Sequence, residues 1–247
     1  MHSALLTKVQ QFRGRIYLED GAITRQELTA DGRHKSPIDN DSWHVISLDP
    51  QGQVCACLRF LEESDLPNFD DLWVSRAAAA RSSYGKAFRQ AVEREIRNAR
   101  ETGVLFGEVG GWAVAENYRL GPEPLRIVLA AYGLVELLGS SIGLVTATWR
   151  HRSAQILRRI GLEPLFVDGN ALPPYHDPAY DCEMEVLRFD SRMPNPKYRH
   201  MVRELTSSLL HAPVFGPGNL PKVLQPAQRG FGMPMVVEPM AALATVA

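Results

Sequence analysis

The chain is poor in cysteine, in net charge and in unbroken hydrophobic runs, and each shortage excludes a class of function. Cysteine occurs only at Cys55, Cys57 and Cys182. The count is odd, and the Cys55-x-Cys57 pair has no histidine at ligand spacing. The reading is therefore buried thiols in a reduced compartment, not a disulfide framework or a zinc site. Charge almost cancels, with 27 Lys and Arg against 28 Asp and Glu. That balance points to neither nucleic acid nor an anionic membrane, and no basic block with interleaved aromatics is present. The most apolar stretch, residues 127–145, carries a single charge at Glu136, but Gly139-Ser140-Ser141 divides it. Neither half can cross ~30 Å of hydrocarbon, so a buried helix followed by a buried strand is expected. The N-terminal residues become polar after a three-residue apolar run, unlike a secretory signal. The expectation is a cytoplasmic protein with no bound metal, no nucleic-acid partner and no membrane span.

What is present reads as an ordinary globular composition, 45 % hydrophobic and 22 % charged over 247 residues. That length is enough for one large domain or a domain with an appendage. Helical spacing of Leu5, Val9, Phe12 and Ile16 predicts a helix over 4–19, followed by a polar loop over 31–42. Two strand-like runs flank Asp49-Pro50-Gln51-Gly52, a hairpin signature. Residues 76–102 predict a helix ended by Gly103, and 105–114 predict a strand. Pro122 suits a helix start and Gly139 its end. A strand (142–149), a short helix stopped by Gly161 and a strand of alternating type (181–189) follow. The order implies an α+β fold, a three-layer α/β arrangement with a mixed central sheet flanked by helices. A helix near 196–210 is expected after it, and then a Pro/Gly-rich tail too aperiodic for a core, taken as flexible.

The stretch GGWAVAENYRLGPEPL, residues 110–125, runs a buried strand into a polar turn at the foot of a helix. Such turns commonly offer backbone N–H groups to an anion. Together with RSAQILRRIGLEPL it resembles the GNAT N-acyltransferase superfamily, where a Tyr-Arg-x-Gly turn receives the donor's phosphates. The later helix of that family is matched by Ala154, Leu157, Gly161 and Leu162. FRGRIY, DNDSWHVISL, VCACLRFL and FGEVGGWAV are similar to the acyl-homoserine-lactone synthase and long-chain N-acyl amino acid synthase branch. In the lactone synthases Ser-Arg follows the strand's glutamate with one residue between. Here Glu108-Val109-Gly110-Gly111-Trp112 keeps the glutamate and loses the Ser-Arg, which argues against a lactone product. The resemblance implies a GNAT-like domain over 1–189, with an inserted helix near 76–102, and a C-terminal helix and flexible tail over 190–247. It implies no bound cofactor, with an acyl-carrier protein or acyl-CoA thioester as cosubstrate.

Acyl transfer to an amine needs a base, donors for the oxyanion and an apolar slot for the chain. Glu108, in an apolar strand, is the base candidate, because desolvation would raise its proton affinity. The alternative is a carboxylate that pairs with Arg13 or Arg59 or orients the acceptor's ammonium. Gly110 and Gly111 weaken a plain strand. They suit close approach of an acyl-pantetheine arm, or a structural bulge. The N–H groups of Trp112 and Val114 are the expected oxyanion donors, and Arg119 and Gly121 the expected phosphate seat. Pro122, Glu123 and Pro124 make that seat poor for a pyrophosphate and tolerable for one phosphodiester, though Pro-Glu-Pro also serves as a plain helix start. Arg150, Arg152, Arg158 and Arg159 would dock an acidic carrier protein, or form a solvated face. Arg158 also falls where acetyltransferases often carry a general-acid tyrosine. Arg13, Trp43 and the Asp39/Asp41 pair match the region where this branch holds its amine substrate, an arginine there suiting a carboxylate; ordinary surface ion pairing is the alternative, above all for the two aspartates. The function expected is transfer of a fatty acyl chain to an amino acid or related amine. A CoA-dependent N-acetyltransferase and a silent acyl-binding module are the alternatives.

Overall fold

Helix α1 (His2–Glu19) buries Leu6, Val9, Phe12 and Ile16 at the expected spacing, and on the same buried face it also carries Gln10 and Arg13. A computed structural model gives the structure and describes residues 2–63, 67–216, 221–222 and 235–239. After the polar loop come the hairpin strands β1 (Trp43–Leu48) and β2 (Val54–Glu62). Their turn is tied by Asp49, whose carboxylate accepts the N–H groups of Gln51 and Gln53, with Gly52 at φ +73°. The chain then forms α2 (Gly85–Thr102), β3 (Leu105–Val114), α3 (Glu123–Leu138), β4 (Ser141–Thr148) and α4 (Ser153–Ile160). Short strands β5 (Glu163–Pro164), β6 (Phe166–Val167), β7 (Asn170–Ala171) and β8 (Tyr175–Asp177) lead to β9 (Cys182–Asp190). Helix α5 (Arg199–His211) and strands β10 (Val214–Phe215), β11 (Pro221–Lys222) and β12 (Met235–Pro239) complete the described elements.

The chain divides into two compact units, one drawn from Met1–Phe60, Gly111–Leu138 and Met201–Ala247, the other from Leu61–Gly110 and Gly139–His200. In the first unit β1 and β2 pair antiparallel from Trp43↔Phe60 to Leu48↔Val54, and β12 pairs parallel with β1. Leu6, Val9, Phe12 and Ile16 of α1 pack with Ile46, Cys57 and Ala113, while α3 lies on β1. Helix α5 seats Thr206 against Gly133 of α3, where a Cβ on Gly133 would lie 2.7 Å from the Thr206 hydroxyl. In the second unit β3 runs parallel to β4, and β4 antiparallel to β9, making a mixed sheet. Helix α2 covers β4, and α4 packs on β4 and β9. Phe88, Val92 and Ile96 of α2 pack with Leu72, Phe106, Ile142, Leu144 and Val186. Helices on a mixed sheet are the architecture expected from the element order.

The structure adds detail at three places. The helix over 76–102 begins only at Gly85; the alanine run instead forms a 3-10 turn at Ala78–Arg81, after another at Trp73–Arg76. Gly85 lies so close to the Ala80 carbonyl that no Cβ fits, and Ala79 is buried in the core, so packing overrides alanine's helical preference. The C-terminal helix expected after residue 190 is present, and from Met201 it groups with the first unit. The tail supplies the strand β12, paired with β1, and the rest of the expected flexible tail lies outside the described residues. Among the described residues no helix is long and apolar enough to cross a membrane, and no cluster of His, Cys, Asp and Glu could hold a metal ion.

Candidate active site

Each unit carries a cluster of buried charge on or beside a residue expected from the sequence. In the second unit Glu108 stands on β3 opposite Leu144 of β4, 8 % exposed. Its two carboxylate oxygens accept the backbone N–H groups of Trp73 at 2.6 Å and Val74 at 2.7 Å. These are first N–H groups of the turn Trp73–Arg76, which have no partner within the turn, and two such donors suit a carboxylate in its anionic form. Beside it lies Glu63, at the end of β2, whose N–H donates to the Phe106 carbonyl at 2.9 Å. Burial first, and then the charge of Glu108 and a hydrogen bond to it, push the Glu63 carboxyl up to about 8. The sequence points to burial acting on Glu108, and in the fold burial acts on the Glu63 carboxyl beside it.

In the first unit Asp39, 2 % exposed, accepts from Arg13 at 2.6 Å, Arg59 at 2.8 Å, the Ser36 N–H at 2.9 Å and Gln10 at 3.0 Å. Burial works against its charge. The Arg13 hydrogen bond and the two guanidinium charges outweigh that and hold its carboxyl well below the usual range. For Arg13 burial is likewise outweighed by Asp39, and its proton affinity rises. For Arg59 burial and then the charge of Arg13 prevail and lower it. Two guanidiniums thus share one carboxylate, and the nearer holds the stronger claim. Burial pushes the His44 ring, which faces the Asp39 carbonyl at 2.9 Å, down to about 4, so it is neutral at ordinary pH.

Arg13 and Trp43, the residues expected to hold the acceptor, are both buried. Arg13, 1 % exposed, spends its Nη2 on Asp39 and the His34 carbonyl, and Trp43 is 8 % exposed. Arg13 joins α1 to the polar loop, and Arg13 and Arg59 pair with Asp39 rather than with Glu108.

Gly111 sits at φ +63°, with an added Cβ 3.2 Å from Arg13 Nη1 and from Arg59 Cβ. The left-handed backbone and the closeness of two arginines explain why glycine interrupts this strand. The carbonyls of Gly111 and Trp112 accept from the Cys57 thiol at 3.4 Å and the Tyr17 hydroxyl at 3.3 Å. The Trp112 indole N–H is buried without a partner among the described residues. Replacing Gly111 with Ala is expected to cost about 1–2 kcal/mol from backbone strain, read as a lower urea midpoint with an unchanged slope. No loss would mean that the bulge relaxes freely. Burial pushes Cys55 and Cys57 up to about 12, which makes them inert packing thiols.

No protein-family model and no curated protein matches the sequence. Solved structures do. The CoA-dependent acyl-homoserine lactone synthase BjaI, with SAM and isopentyl-CoA, superposes with a TM-score of 0.53 at 15 % identity, over 83 % of this chain and 82 % of that one. The CoA-dependent acyl-homoserine lactone synthase MesI gives 0.52 at 18 % identity, over 83 % and 89 %. This chain has the GNAT-type fold of the acyl-homoserine lactone synthases. Likeness to the N-acyl amino acid synthase FeeM, from uncultured soil microbes, is weaker, with a TM-score of 0.37 at 9 % identity over 56 % and 62 %, and decides nothing about the acceptor.

Within this GNAT-type fold the turn after β3 differs from the sequence expectation. Arg119 is not a free cation awaiting phosphate. Its Nη1 and Nη2 bind both oxygens of Asp20, at 2.8 and 3.0 Å, and its Nε bonds the Val114 carbonyl at 3.0 Å. Gly121 donates its N–H to the Tyr118 carbonyl at 3.1 Å. The turn is pinned to α1 by the ion pair. The basic run at α4 also thins. Arg158 pairs through two nitrogens with Glu185, at 2.8 and 2.5 Å, and Arg150 is bonded to the Asp181 carbonyl. The short helix keeps Ala154, Leu157 and Ile160 buried, and Gly161 lies where an added Cβ would meet the Asn195 amide at 2.7 Å. Glu63, and the sharing of Asp39 by two arginines, were not singled out from the sequence. Glu63 belongs to no motif, and only the register of β2 against Phe106 brings it to Glu108.

Proposed function

We propose that this protein is an N-acyltransferase that moves a fatty acyl chain from an acyl thioester to the amine of an amino acid or related small molecule. Glu108 is the observation that carries the reading. It is a buried carboxylate held by two backbone amides on the strand that keeps the branch's glutamate, in a chain with the fold of acyl-homoserine lactone synthases. In this role Glu108 receives a proton from the amine. Gly110 and Gly111 leave room for the pantetheine arm, with the turn at Gly121 beyond it. Arg119 holds that turn through Asp20.

The donor is an acyl-CoA or an acyl-carrier protein. The lactone synthases with the same fold are described as CoA-dependent, which favours the first. Commitment of Arg158 to Glu185 and of Arg150 to a carbonyl leaves fewer free cations for an acidic carrier. Arg152 and Arg159 remain as carrier contacts.

The test is to incubate purified protein with a panel of amino acids and amines. Parallel samples receive acetyl-CoA, long-chain acyl-CoA or acylated carrier protein, and products are read by mass spectrometry. An amide that joins a long acyl chain to one of the amines, formed by wild type and not by Glu108→Gln, is the expected result. Turnover saturated by acetyl-CoA alone would replace the reading with an acetyltransferase. Donor binding without any product would replace it with a silent acyl-binding module.

A further inference from the structure

The Glu63–Glu108 pair contains more than one base. Two carboxyl groups in hydrogen-bonding contact hold a proton between them, because like charges at that range do not both persist in a buried site. The fold states which member keeps the charge. Both oxygens of Glu108 are met by N–H donors, whereas Glu63 Oε1 is buried with no hydrogen-bond partner among the described residues. The charged groups that act on Glu63 are Glu108 on β3 and Asp71 on the turn Phe69–Asp71, both acidic, so each favours a neutral Glu63.

We propose that Glu63 and Glu108 work as one carboxyl pair with a single proton, in which Glu63 protonates the departing thiol sulfur while Glu108 takes the proton of the attacking amine. The proposal rests on the acyl-transfer reading and deepens it by naming the general acid. The step balances. A neutral amine attacks the thioester carbonyl, the C–N bond forms and the C–S bond breaks. The amine's proton arrives on Glu108, and the Glu63 proton leaves with sulfur as a free thiol. A transfer across the hydrogen bond from Glu108 to Glu63 then restores the starting pair, which has carried one proton throughout. The match in acidity supports the assignment. An acid that titrates near 8 suits a thiolate leaving group whose own thiol titrates at about 8.5, since proton transfer is most effective between groups of similar affinity.

Glu63→Gln is the test, because glutamine keeps the shape and a hydrogen-bond donor toward Glu108 but has no proton to give. Acyl transfer by wild type and variant is measured as kcat/KM from pH 6 to 10, and the Glu63 carboxyl is followed by 13C NMR in the free protein. The expected result is a loss on the order of 100-fold at neutral pH. The wild-type to variant ratio should then shrink as pH rises through about 8, where the wild-type Glu63 itself titrates. The ratio cancels the amine's own ionisation. A wild-type protein that transfers acyl chains while Glu63 titrates in the usual carboxylate range overturns this proposal alone. So does a ratio that stays flat with pH. A wild-type protein that transfers no acyl chain overturns the functional reading and the chemical role together, and is told apart by that absence of product.

The same pair has a stability signature. The folded state binds the Glu63 proton more tightly than the unfolded chain, whose glutamate titrates near 4.5. Its contribution is therefore complete below pH 4.5 and is lost as pH rises toward about 8. Glu63→Gln removes that slope, so the variant's melting temperature should fall less than wild type's over this window.

Discussion

Asp39→Ala should be the most destabilising single change, costing about 3–5 kcal/mol, because it strands two buried guanidiniums without a counter-charge. Arg13 is 1 % exposed and Arg59 is 7 % exposed, so neither can turn to water without opening the contact of α1 with the hairpin. The loss includes the Ser36 N–H and the Gln10 amide, which would lose their acceptor as well. For a chain of this size the melting temperature should fall by roughly 10 °C. Asp39→Asn, which keeps the shape and one acceptor oxygen, should fall between the two. In wild type the same interactions set an acid limb. The Asp39 carboxyl is held well below its unfolded value of 3.8, so its contribution is complete above that pH and declines as pH falls below it. A urea midpoint for Asp39→Ala that shifts by less than about 1 kcal/mol would mean that the arginines relax to solvent, and would sink the framework role assigned to this cluster.

Glu108→Gln should carry the largest effect on turnover, a loss of about 10²–10⁴ in kcat/KM if it is the base. The substitution has a structural side that must be separated from the chemical one. Gln can satisfy one of the Trp73 and Val74 N–H groups with its carbonyl, but its NH₂ then faces the other. Leaving one buried donor unpaired costs about 1–3 kcal/mol. The expected outcome is therefore a protein that folds with a lowered melting temperature, still binds donor thioester, and forms almost no amide. Turnover within about threefold of wild type would remove Glu108 from the chemistry and leave it as a clamp on the turn Trp73–Arg76. Comparison with Glu63→Gln adds resolution. If the two carboxyls act as a unit, the double variant should be little slower than the more damaged single one.

Much of the fold was legible because it rests on local rules. The apolar spacing of α1, the Asp-Pro-Gln-Gly turn, the glycine ends of α2, α3 and α4, and the alternation along β9 each depend on a few neighbouring residues. Gly111 was also legible as an anomaly, since a glycine pair in a buried strand needs a reason. That reason came only from the structure, as a positive φ against Arg13 and Arg59. The alanine run before Gly85 was misread for the opposite cause, because helical propensity is local and the close approach of Gly85 to the Ala80 backbone is not.

The sequence by itself determined the class of fold, the strand that bears Glu108 and the glycines around it, because periodicity and backbone freedom are properties of short segments. Tertiary structure alone decided who pairs with whom. Arg13 could have faced a substrate, Arg119 a phosphate and Arg158 a carrier protein. Each instead meets a carboxylate, Asp39, Asp20 or Glu185, brought from elsewhere in the chain. Glu63 reaches Glu108 for the same reason. Charge and proton affinity answer to distances of a few ångströms between residues far apart in sequence, and only the folded chain sets those distances.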